Sequence, residues 1–427
     1  MAFALTSVST NHFFTRVRRM SSRIQLEEAK LRFSLARLFG YVLRPPPQNQ
    51  TRSLNPTTYP LSVTVLGAKR KKALMEFAKN GFVRFQEFCI VPSRKGPRWL
   101  LPSDDRRTML AGLHVLTPYV PATKILKAML VHCIKAGWHG WGLPRVVVAS
   151  RAILPLETLV AEVTGEKQPS FSVSVGTPGR FWKLTTQVMR PSGEILGYLK
   201  FPITKAATGR IQHEAEVLER LWRISRLRPH IPKVLHASNW VDGYILFQSP
   251  GPPCPGPVEL GPSHEAYLRT LWNAYKNEKP GHTLVEEVAG HWQKVLPLMD
   301  VGLRELGARA LERASRTLRG LTIPCGIMHG DFAPWNTRIE DGRVFSFDWE
   351  SSAWDAPILW DVFHFHAQVA GHLNSKSAEL LFLKKSRNNE GCFLLYLLNS
   401  ICMSLEDGGI DDPDVVYRRR ILRLELS

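Results

Sequence analysis

Two polar segments that lie close together in the chain contain the residue types that phosphoryl transfer requires. Residues 329–336 read H-G-D-F-A-P-W-N, and residues 347–350 read F-D-W-E. An unprotonated carboxylate such as Asp331 can accept a hydroxyl proton, and Asn336 and Asp348 offer the oxygen ligands that Mg²⁺ prefers. Because phosphoryl transfer depends mainly on positioning and charge neutralisation, these segments form a candidate active site.

The flanking sequence predicts how these residues are positioned. Apolar residues occur between Ile323 and Met328, before the first polar segment, and again from Val344 to Phe347, around the second. This pattern is typical of a strand, a polar loop, a short hairpin and a second loop that follows a strand. We therefore expect Asp331, Asn336 and Asp348 to converge at one edge of a small sheet.

The pattern H-G-D-x-x-x-x-N followed by D-W-E resembles the catalytic loop of aminoglycoside phosphotransferases and choline-kinase-like enzymes. Protein kinases carry Arg after the His and a D-F-G further along the chain, whereas this chain has Gly330 and the small-molecule D-W-E. With the later L-W-D-V-F-H-F, the run is most similar to bacterial phosphotransferases associated with polysaccharide biosynthesis. The resemblance is strongest over residues 165–370.

This resemblance implies an α+β protein with a two-lobed, protein-kinase-like fold. Residues 165–250 would form a small antiparallel five-stranded N-lobe, and residues 251–427 a mainly helical C-lobe with the catalytic loop. Residues 61–160 would form a basic mixed α/β module before the kinase-like part. On composition, residues 1–60 would be a basic, disordered tail with one amphipathic helix and a proline-rich linker. For residues 1–26 the alternatives are a tail, a targeting segment, or a misassigned start with Met20 as the first residue.

A glycine-bearing turn between two apolar runs predicts a loop laid over nucleotide phosphates. It contains Gly176, Thr177 and Gly179. Glycines permit close backbone approach, so that amide groups can point at phosphate oxygens. A G-x-x-G turn is far more often a plain hairpin, and that alternative stays open.

A lysine framed by apolar residues, Lys200, lies near the end of a predicted strand and is suited to reaching nucleotide phosphates. The resemblance implies a partner glutamate on the next helix. Glu214 has the spacing of the buried helix face, and Glu216 is the rival because the helix register is uncertain. Gln248 would begin the hinge, where the resemblance places the adenine edge.

The resemblance also implies supporting roles around the catalytic loop. His329 would brace the loop by hydrogen bonds, Glu350 would assist the metal through water, and Asp361 would support the loop from a helix start. His364 and His366 raise the idea of a metal site, but residues two apart do not share a helix face. We therefore expect both histidines to be packed or exposed.

The net charge of +19 is unevenly distributed along the chain. Residues 1–165 carry a surplus of 17 positive charges, whereas residues 166–427 carry a surplus of 2. A basic segment predicts contact with an anionic surface, such as lipid head groups or an acidic polymer, or simply a solvated basic face. A helix over residues 24–43 could lie on a membrane or pack on its own protein. No nucleic-acid-binding module is recognisable, so nucleic acid is not an expected partner.

Two functions from different classes follow. The first is an ATP- and Mg²⁺-dependent phosphotransferase that acts on a hydroxyl of a sugar, amino sugar or amino alcohol. The second is a non-catalytic kinase-like module docked by its basic N-terminal part to a membrane or a biosynthetic assembly. The six cysteines lack a C-x-x-C pair, which is typical of a cytosolic protein with reduced thiols. The longest apolar run, Cys392–Leu405, contains polar residues and predicts a buried helix.

Overall fold

The computed structural model describes residues 31–41, 61–66, 70–93, 96–386 and 389–427. The predicted N-terminal tail and the proline-rich linker lie outside these residues. The described chain forms two compact units, each built from several segments. The first contains the chain up to Thr177, Trp182–Thr208 and Leu235–Pro250, and the second contains Pro178–Phe181, Gly209–Val234 and Gly251–Ser427.

The first unit contains one nine-stranded sheet with the order β1-β4-β2-β3-β5-β6-β7-β9-β8. From β1 to β9 in that order, every neighbouring pair is antiparallel. The strands are β1 (Leu61–Leu66), β2 (Arg84–Ser93), β3 (Gly96–Pro102), β4 (Arg145–Ser150), β5 (Ser170–Ser174), β6 (Lys183–Met189), β7 (Ile195–Pro202), β8 (Val234–Trp240) and β9 (Gly243–Gln248).

The five strands predicted for the N-lobe, β5 to β9, are neighbours in this sheet, and the sheet continues beyond them. Trp99 of β3 pairs with Ser174 of β5, and Leu100 pairs with Val173. Residues 61–150 therefore extend the same sheet instead of forming a separate one. The boundary proposed between residues 160 and 165 falls within one compact unit.

A helix over residues 31–38, α1, packs into the core of the first unit. Leu31, Leu35, Leu38 and Phe39 are all buried. Fully burying one such side chain stabilises a fold by roughly 1.5–3 kcal/mol, so placing this face on a lipid surface would be unfavourable. Of the two alternatives for this helix, the structure shows packing on its own protein.

Two polar contacts hold α1 beside the β8–β9 hairpin. The Arg37 guanidinium lies 2.6 Å from an Asp242 carboxylate oxygen, and the Trp240 indole N–H donates to the Leu38 carbonyl at 3.1 Å. These bonds satisfy polar groups that burial would otherwise leave without partners. The remaining helices of the unit are α2 (Arg70–Lys79), α3 (Arg106–Gly112), α4 (Pro121–Lys135) and α5 (Pro155–Thr164).

The second unit is mainly helical, and its small sheets position the polar loops of the candidate site. A three-stranded sheet has the order β10-β11-β14, and β12 pairs with β13 in a hairpin. These strands are β10 (Lys276–Pro280), β11 (Thr322–Met328), β12 (Thr337–Glu340), β13 (Arg343–Ser346) and β14 (Ala353–Pro357). The helices are α6 (Lys205–Trp222, from Gly209 onward), α7 (Pro262–Ala274), α8 (Gly281–Val295), α9 (Val301–Thr317), α10 (Trp360–Leu373), α11 (Lys376–Ser386), α12 (Glu390–Gly408) and α13 (Pro413–Leu426).

Helix α12 lies in the core of this unit. It contains the predicted apolar run, and its residues from Gly391 to Leu398 are all buried. This confirms the prediction of a buried core helix for Cys392–Leu405. No helix in the described ranges is both long enough and apolar enough to cross a membrane. The α+β class is also confirmed, with the antiparallel sheet in one unit and most helices in the other.

Candidate active site

The loop of residues 329–336 begins where β11 ends, and a buried carboxylate anchors its first two residues. The backbone N–H of His329 donates to one Asp361 oxygen at 2.7 Å, and that of Gly330 donates to the other at 3.0 Å. Asp361 lies in the first turn of α10. Burial raises the pKa of this carboxyl to about 6, although the hydrogen bonds from the two backbone N–H groups favour its charged form. Asp361 thus fixes the loop backbone.

The buried His329 side chain braces the same loop from inside. Its Nε2 lies 3.1 Å from the Phe347 carbonyl oxygen, and its Nδ1 accepts from the Asp331 backbone N–H at 3.3 Å. An accepting Nδ1 and a donating Nε2 define a neutral imidazole. Burial lowers the pKa of His329 to about 4, which agrees with that neutral form. His329 therefore joins the loop to the segment before Asp348, as the resemblance implied.

The Asp331 carboxylate is held at both of its oxygens. The Asn336 amide nitrogen donates to Oδ2 at 2.7 Å and to the Asp331 backbone carbonyl at 2.9 Å. The His364 Nε2 lies 2.9 Å from Oδ1. Asn336 uses its nitrogen in these bonds, so its side-chain oxygen is the atom suited to a metal. The loop thus presents one oriented carboxylate and one amide oxygen.

Two residues near the site have backbone conformations in the left-handed region. Gly330 has φ of +82°, and a Cβ atom there would lie 2.0 Å from the Ser351 carbonyl oxygen. Asp348 has φ of +72° although it is not a glycine. Such conformations cost roughly 1–3 kcal/mol for a non-glycine residue and concentrate at functional sites. The positive φ of Gly330 and its closeness to Ser351 explain why glycine follows the histidine at this position.

Three carboxylates converge beside the second polar segment. One oxygen each of Glu214, Asp348 and Glu350 lies within 4.8 Å of the others. Glu214 also accepts from the Trp349 backbone N–H at 3.1 Å, and Arg210 lies 3.8 Å from Glu350. Like charges this close repel one another unless a cation joins them. The cluster therefore suits a divalent metal with oxygen ligands.

The structure brings together Asp331 with Asn336, and Asp348 with Glu350. It also places Glu214 beside Asp348. Glu214 is buried and Glu216 is exposed, so Glu214 occupies the inner face of α6. The pairing of Lys200 with Glu214 remains a prediction.

Gly176, Thr177 and Lys200, the residues of the first unit that were predicted to contact nucleotide phosphates, lie in a turn and on a strand. Gly176 has φ of +74°, and a Cβ there would lie 2.3 Å from the Lys183 carbonyl oxygen. The Thr177 hydroxyl accepts from Arg98 at 2.9 Å. Lys200 is buried on β7 and pairs with Leu246 of β9. This turn requires glycine at position 176, which agrees with a specialised loop as well as with a tight hairpin.

Gln248 and Gly179 complete the predicted nucleotide set. Gln248 is buried at the end of β9, and its side-chain oxygen has no hydrogen-bond partner within the described part of the chain. A buried acceptor without a partner costs about 1–3 kcal/mol. Gly179 lies in the segment assigned to the second unit, and no atom lies within 4 Å of a Cβ built there. Nothing in its surroundings requires glycine.

His364, which contacts Asp331 directly, was not predicted as part of the site. The spacing between His364 and His366 gave no reason to place it there, because these two residues do not share a helix face. The informative spacing was that from Asp361 to His364, which are one turn apart on α10. Residues three apart project from the same side of a helix. Since Asp361 was expected to support the loop, His364 should have been expected there too.

Comparisons with known proteins place the chain near one group of solved structures. No family model matches the chain, and no curated protein matches it. A thermostable mutant of aminoglycoside phosphotransferase APH(4)-Ia in its apo form is 15% identical, with a TM-score of 0.44, and the match covers 63% of this chain and 98% of that one.

Two further similar structures contain nucleotides. A ternary complex of the thermostable APH(4)-Ia mutant with ADP and hygromycin B is 14% identical, with a TM-score of 0.45 and coverage of 64% and 97%. The GDP complex of wild-type aminoglycoside 2'-phosphotransferase-IIIa is 13% identical, with a TM-score of 0.38 and coverage of 63% and 96%. Similarity at this level assigns neither a substrate nor a reaction to this chain.

Proposed function

We propose that this protein is an ATP- and Mg²⁺-dependent phosphotransferase that transfers the γ-phosphoryl group to a hydroxyl of a sugar, amino sugar or amino alcohol. The observation that carries the proposal is the Asp331 carboxylate, held by Asn336 at 2.7 Å and by His364 at 2.9 Å. A carboxylate oriented in this way is suited to accept a proton from an acceptor hydroxyl. The acidic cluster of Glu214, Asp348 and Glu350 would supply the second requirement of phosphoryl transfer, a metal site.

Asp348, Glu350 and the side-chain oxygen of Asn336 are the proposed metal ligands. The fit rests on the carboxylate oxygens of Asp348, Glu350 and Glu214, which lie within 4.8 Å of one another. Bound Mg²⁺ would neutralise charge on the nucleotide phosphates. The positive φ of Asp348 shows that the chain holds this carboxylate in a conformation that needs support from its neighbours.

The proposed nucleotide contacts come from the first unit and from the predicted loop. We assign Lys200 to the phosphates, with Glu214 as its proposed partner. Gly176, Thr177 and Gly179 form the proposed phosphate loop, and Gln248 the adenine end. The buried amide oxygen of Gln248 supports this assignment, because it lacks a partner in the described chain and can accept from an amino group.

In the proposed reaction, the acceptor hydroxyl attacks the γ-phosphorus while Asp331 takes its proton. A new bond forms between that oxygen and phosphorus, and the bond to the bridging oxygen of the leaving ADP breaks. His329 contributes by fixing the loop backbone and remains neutral. The neutrality of His329 follows from its two hydrogen bonds and its burial.

The direct test of this function is identification of a phosphorylated product. Purified protein would be incubated with ATP and a panel of sugars, amino sugars, choline, kanamycin and hygromycin B, and products would be identified by mass spectrometry. A mass gain of one phosphoryl group that requires both protein and Mg²⁺ supports the proposal. Absence of transfer to every member of the panel, together with nucleotide binding that does not need Mg²⁺, would favour a non-catalytic module.

Substitution of Glu350 is expected to weaken the response to Mg²⁺. We expect Glu350→Gln to raise the Mg²⁺ concentration for half-maximal transfer by about 10–100-fold, because removal of a charged metal partner usually has an effect of that size. The measurement is the transfer rate as a function of Mg²⁺ concentration. Glu312→Gln, an exposed substitution on α9, is the control and should leave the curve unchanged. A normal curve for Glu350→Gln would remove this residue from the metal site.

One surface of the first unit favours a second function, peripheral binding to anionic lipid. Ile125 and Met129 of α4 are 61% and 58% exposed. Lys124, Lys127 and Lys135 line a groove of about 490 Å³ on the same helix. Exposed apolar side chains among lysines are typical of surfaces that rest on a membrane. We propose that α4, through its exposed apolar residues and its neighbouring lysines, binds anionic lipid, rather than the buried α1.

Vesicle sedimentation tests this second function. The variant Lys124→Gln/Lys135→Gln is expected to reduce binding to vesicles containing phosphatidylserine by about tenfold, since each lysine near such a surface contributes about 1 kcal/mol before screening. Lys376→Gln/Lys384→Gln on α11 removes equal charge elsewhere and should bind normally. Equal loss in both variants would point to net charge alone, and absence of wild-type binding would contradict the proposal.

A further inference from the structure

The contact between His364 and Asp331 orients the proposed base only if the imidazole nitrogen that faces it carries the proton. His364 Nε2 lies 2.9 Å from Asp331 Oδ1, and its side chain is only 12% exposed. Asn336 occupies the other carboxylate oxygen at 2.7 Å. Each oxygen of the proposed base therefore has one N–H partner, and the two partners together define the plane of the carboxylate.

A buried tyrosine contacts the other nitrogen of the same imidazole. The Tyr396 hydroxyl on α12 lies 3.4 Å from His364 Nδ1. The two rings are nearly perpendicular, with centroids 6.3 Å apart. Burial raises the pKa of Tyr396, so its hydroxyl keeps a proton that it can donate. Nδ1 is then the acceptor, and the imidazole proton is at Nε2, which faces Asp331.

The surroundings of Tyr396 favour this direction of hydrogen bonding. Arg418 of α13 is buried and hydrogen-bonds Tyr396, and the Ser400 hydroxyl hydrogen-bonds it as well. A guanidinium can only donate, so it occupies one lone pair of the phenolic oxygen, and the Ser400 hydroxyl can donate to the other. In that arrangement the O–H of Tyr396 is the donor to His364. Arg418 is itself held by Asp414, with an N–O distance of 3.2 Å. The tautomer of His364 is thus set by partners two contacts away from the proposed base.

We propose that His364 is a positioning residue for Asp331 and that Tyr396 fixes the imidazole tautomer that this task needs. The inference rests on the proposed phosphotransferase function. The Nε2–H of His364 holds Oδ1, and the Asn336 amide holds Oδ2. The remaining lone pairs of the carboxylate then point in a defined direction toward the acceptor hydroxyl. The substrate proton moves to Asp331, the phosphoryl group moves to the acceptor oxygen, and His364 neither gains nor loses a proton.

Kinetic comparison of two substitutions tests the positioning role. His364→Leu is expected to lower kcat by about 100-fold and to leave the KM for ATP within about twofold, because a misplaced reacting group typically costs that much. His364→Gln is expected to retain activity within about tenfold of the wild type, since its amide nitrogen can still donate to Asp331. His282→Gln, on the exposed surface of α8, should behave as the wild type.

Rescue by glutamine separates positioning from a merely structural role, because leucine and glutamine both fill the space of the ring. A wild-type kcat for His364→Leu would overturn the proposal. An equal loss in both variants with an unchanged thermal midpoint would also overturn it. If the wild-type protein transfers no phosphoryl group to any acceptor, the proposed function fails, and the tautomer is then tested without turnover.

The tautomer can be measured directly by ¹⁵N NMR of protein labelled at histidine. We expect His364 to show a protonated Nε2 and an unprotonated Nδ1 at neutral pH in the wild type. Tyr396→Phe removes the donor to Nδ1, so the other tautomer should become populated, and kcat should fall by about tenfold. A wild-type signal with the proton on Nδ1, or no change of tautomer in Tyr396→Phe, would overturn the proposed arrangement.

Discussion

Asp331→Asn is expected to lower kcat by about 10²–10⁴-fold and to leave the Kd for ATP nearly unchanged, since general-base catalysis typically contributes that much. The asparagine has the same shape but no basic oxygen for the substrate proton. It also cannot satisfy both of its neighbours, because the Asn336 nitrogen and His364 Nε2 both donate to Asp331 in the wild type. One side-chain hydrogen bond is therefore lost, at a cost of about 1 kcal/mol of stability.

The measurement combines turnover with nucleotide binding by isothermal titration calorimetry. Asp341→Asn is the matched control, because Asp341 is exposed in the β12–β13 turn and has φ of +50°, which asparagine also tolerates. Full activity in Asp331→Asn would remove this residue from the role of base. Loss of ATP binding together with activity would instead indicate that the loop had lost its structure.

The sequence was sufficient to predict the parts of the fold that depend on local patterns. The apolar run before residue 329 and the polar loop after it correspond to β11 and its following loop. Glu214 was preferred over Glu216 on helical spacing alone, and the structure buries the first and exposes the second. These predictions were successful because the spacing of apolar residues along a helix or strand indicates which of its faces is buried.

The continuity of the nine-stranded sheet could not be predicted in the same way. Alternation of apolar and polar residues indicates a strand, but it does not indicate which strand pairs with it. The pairing of Leu100 with Val173 joins segments more than seventy residues apart. Nothing in the sequence of β3 or β5 marks that partner, so a boundary between residues 160 and 165 was a reasonable expectation.

The contacts of the candidate site were predictable only where the family pattern names them. His329, Asp331, Asn336 and Asp361 have positions in that pattern, and their hydrogen bonds join them. His364 belongs to the run L-W-D-V-F-H-F, but the resemblance assigned it no role, because its contact with Asp331 depends on how α10 packs beside the loop. The prediction that it would be merely packed or exposed followed from comparing it with the wrong neighbour.

Gly330→Ala is expected to lower the free energy of unfolding by about 3 kcal/mol or more and to remove phosphotransfer activity. Two effects add at this position. An alanine in the left-handed region costs about 1–2 kcal/mol. The new Cβ would also lie 2.0 Å from the backbone oxygen of Ser351, which cannot move without shifting the segment after Glu350. The loop or that segment must be displaced, and either change disturbs Asp331 or the acidic cluster.

Gly320→Ala measures the first effect alone, because Gly320 has φ of +69° but no atom within 4 Å of a Cβ built there. It should cost only about 1–2 kcal/mol and leave activity intact. The free energies of unfolding of both variants would be measured by urea denaturation, and transfer rates under native conditions. Equal destabilisation in the two variants would contradict the close approach of Gly330 to Ser351. A larger effect at Gly330 would show that glycine after the histidine is required by the backbone of Ser351, which packs against it directly after the second polar segment.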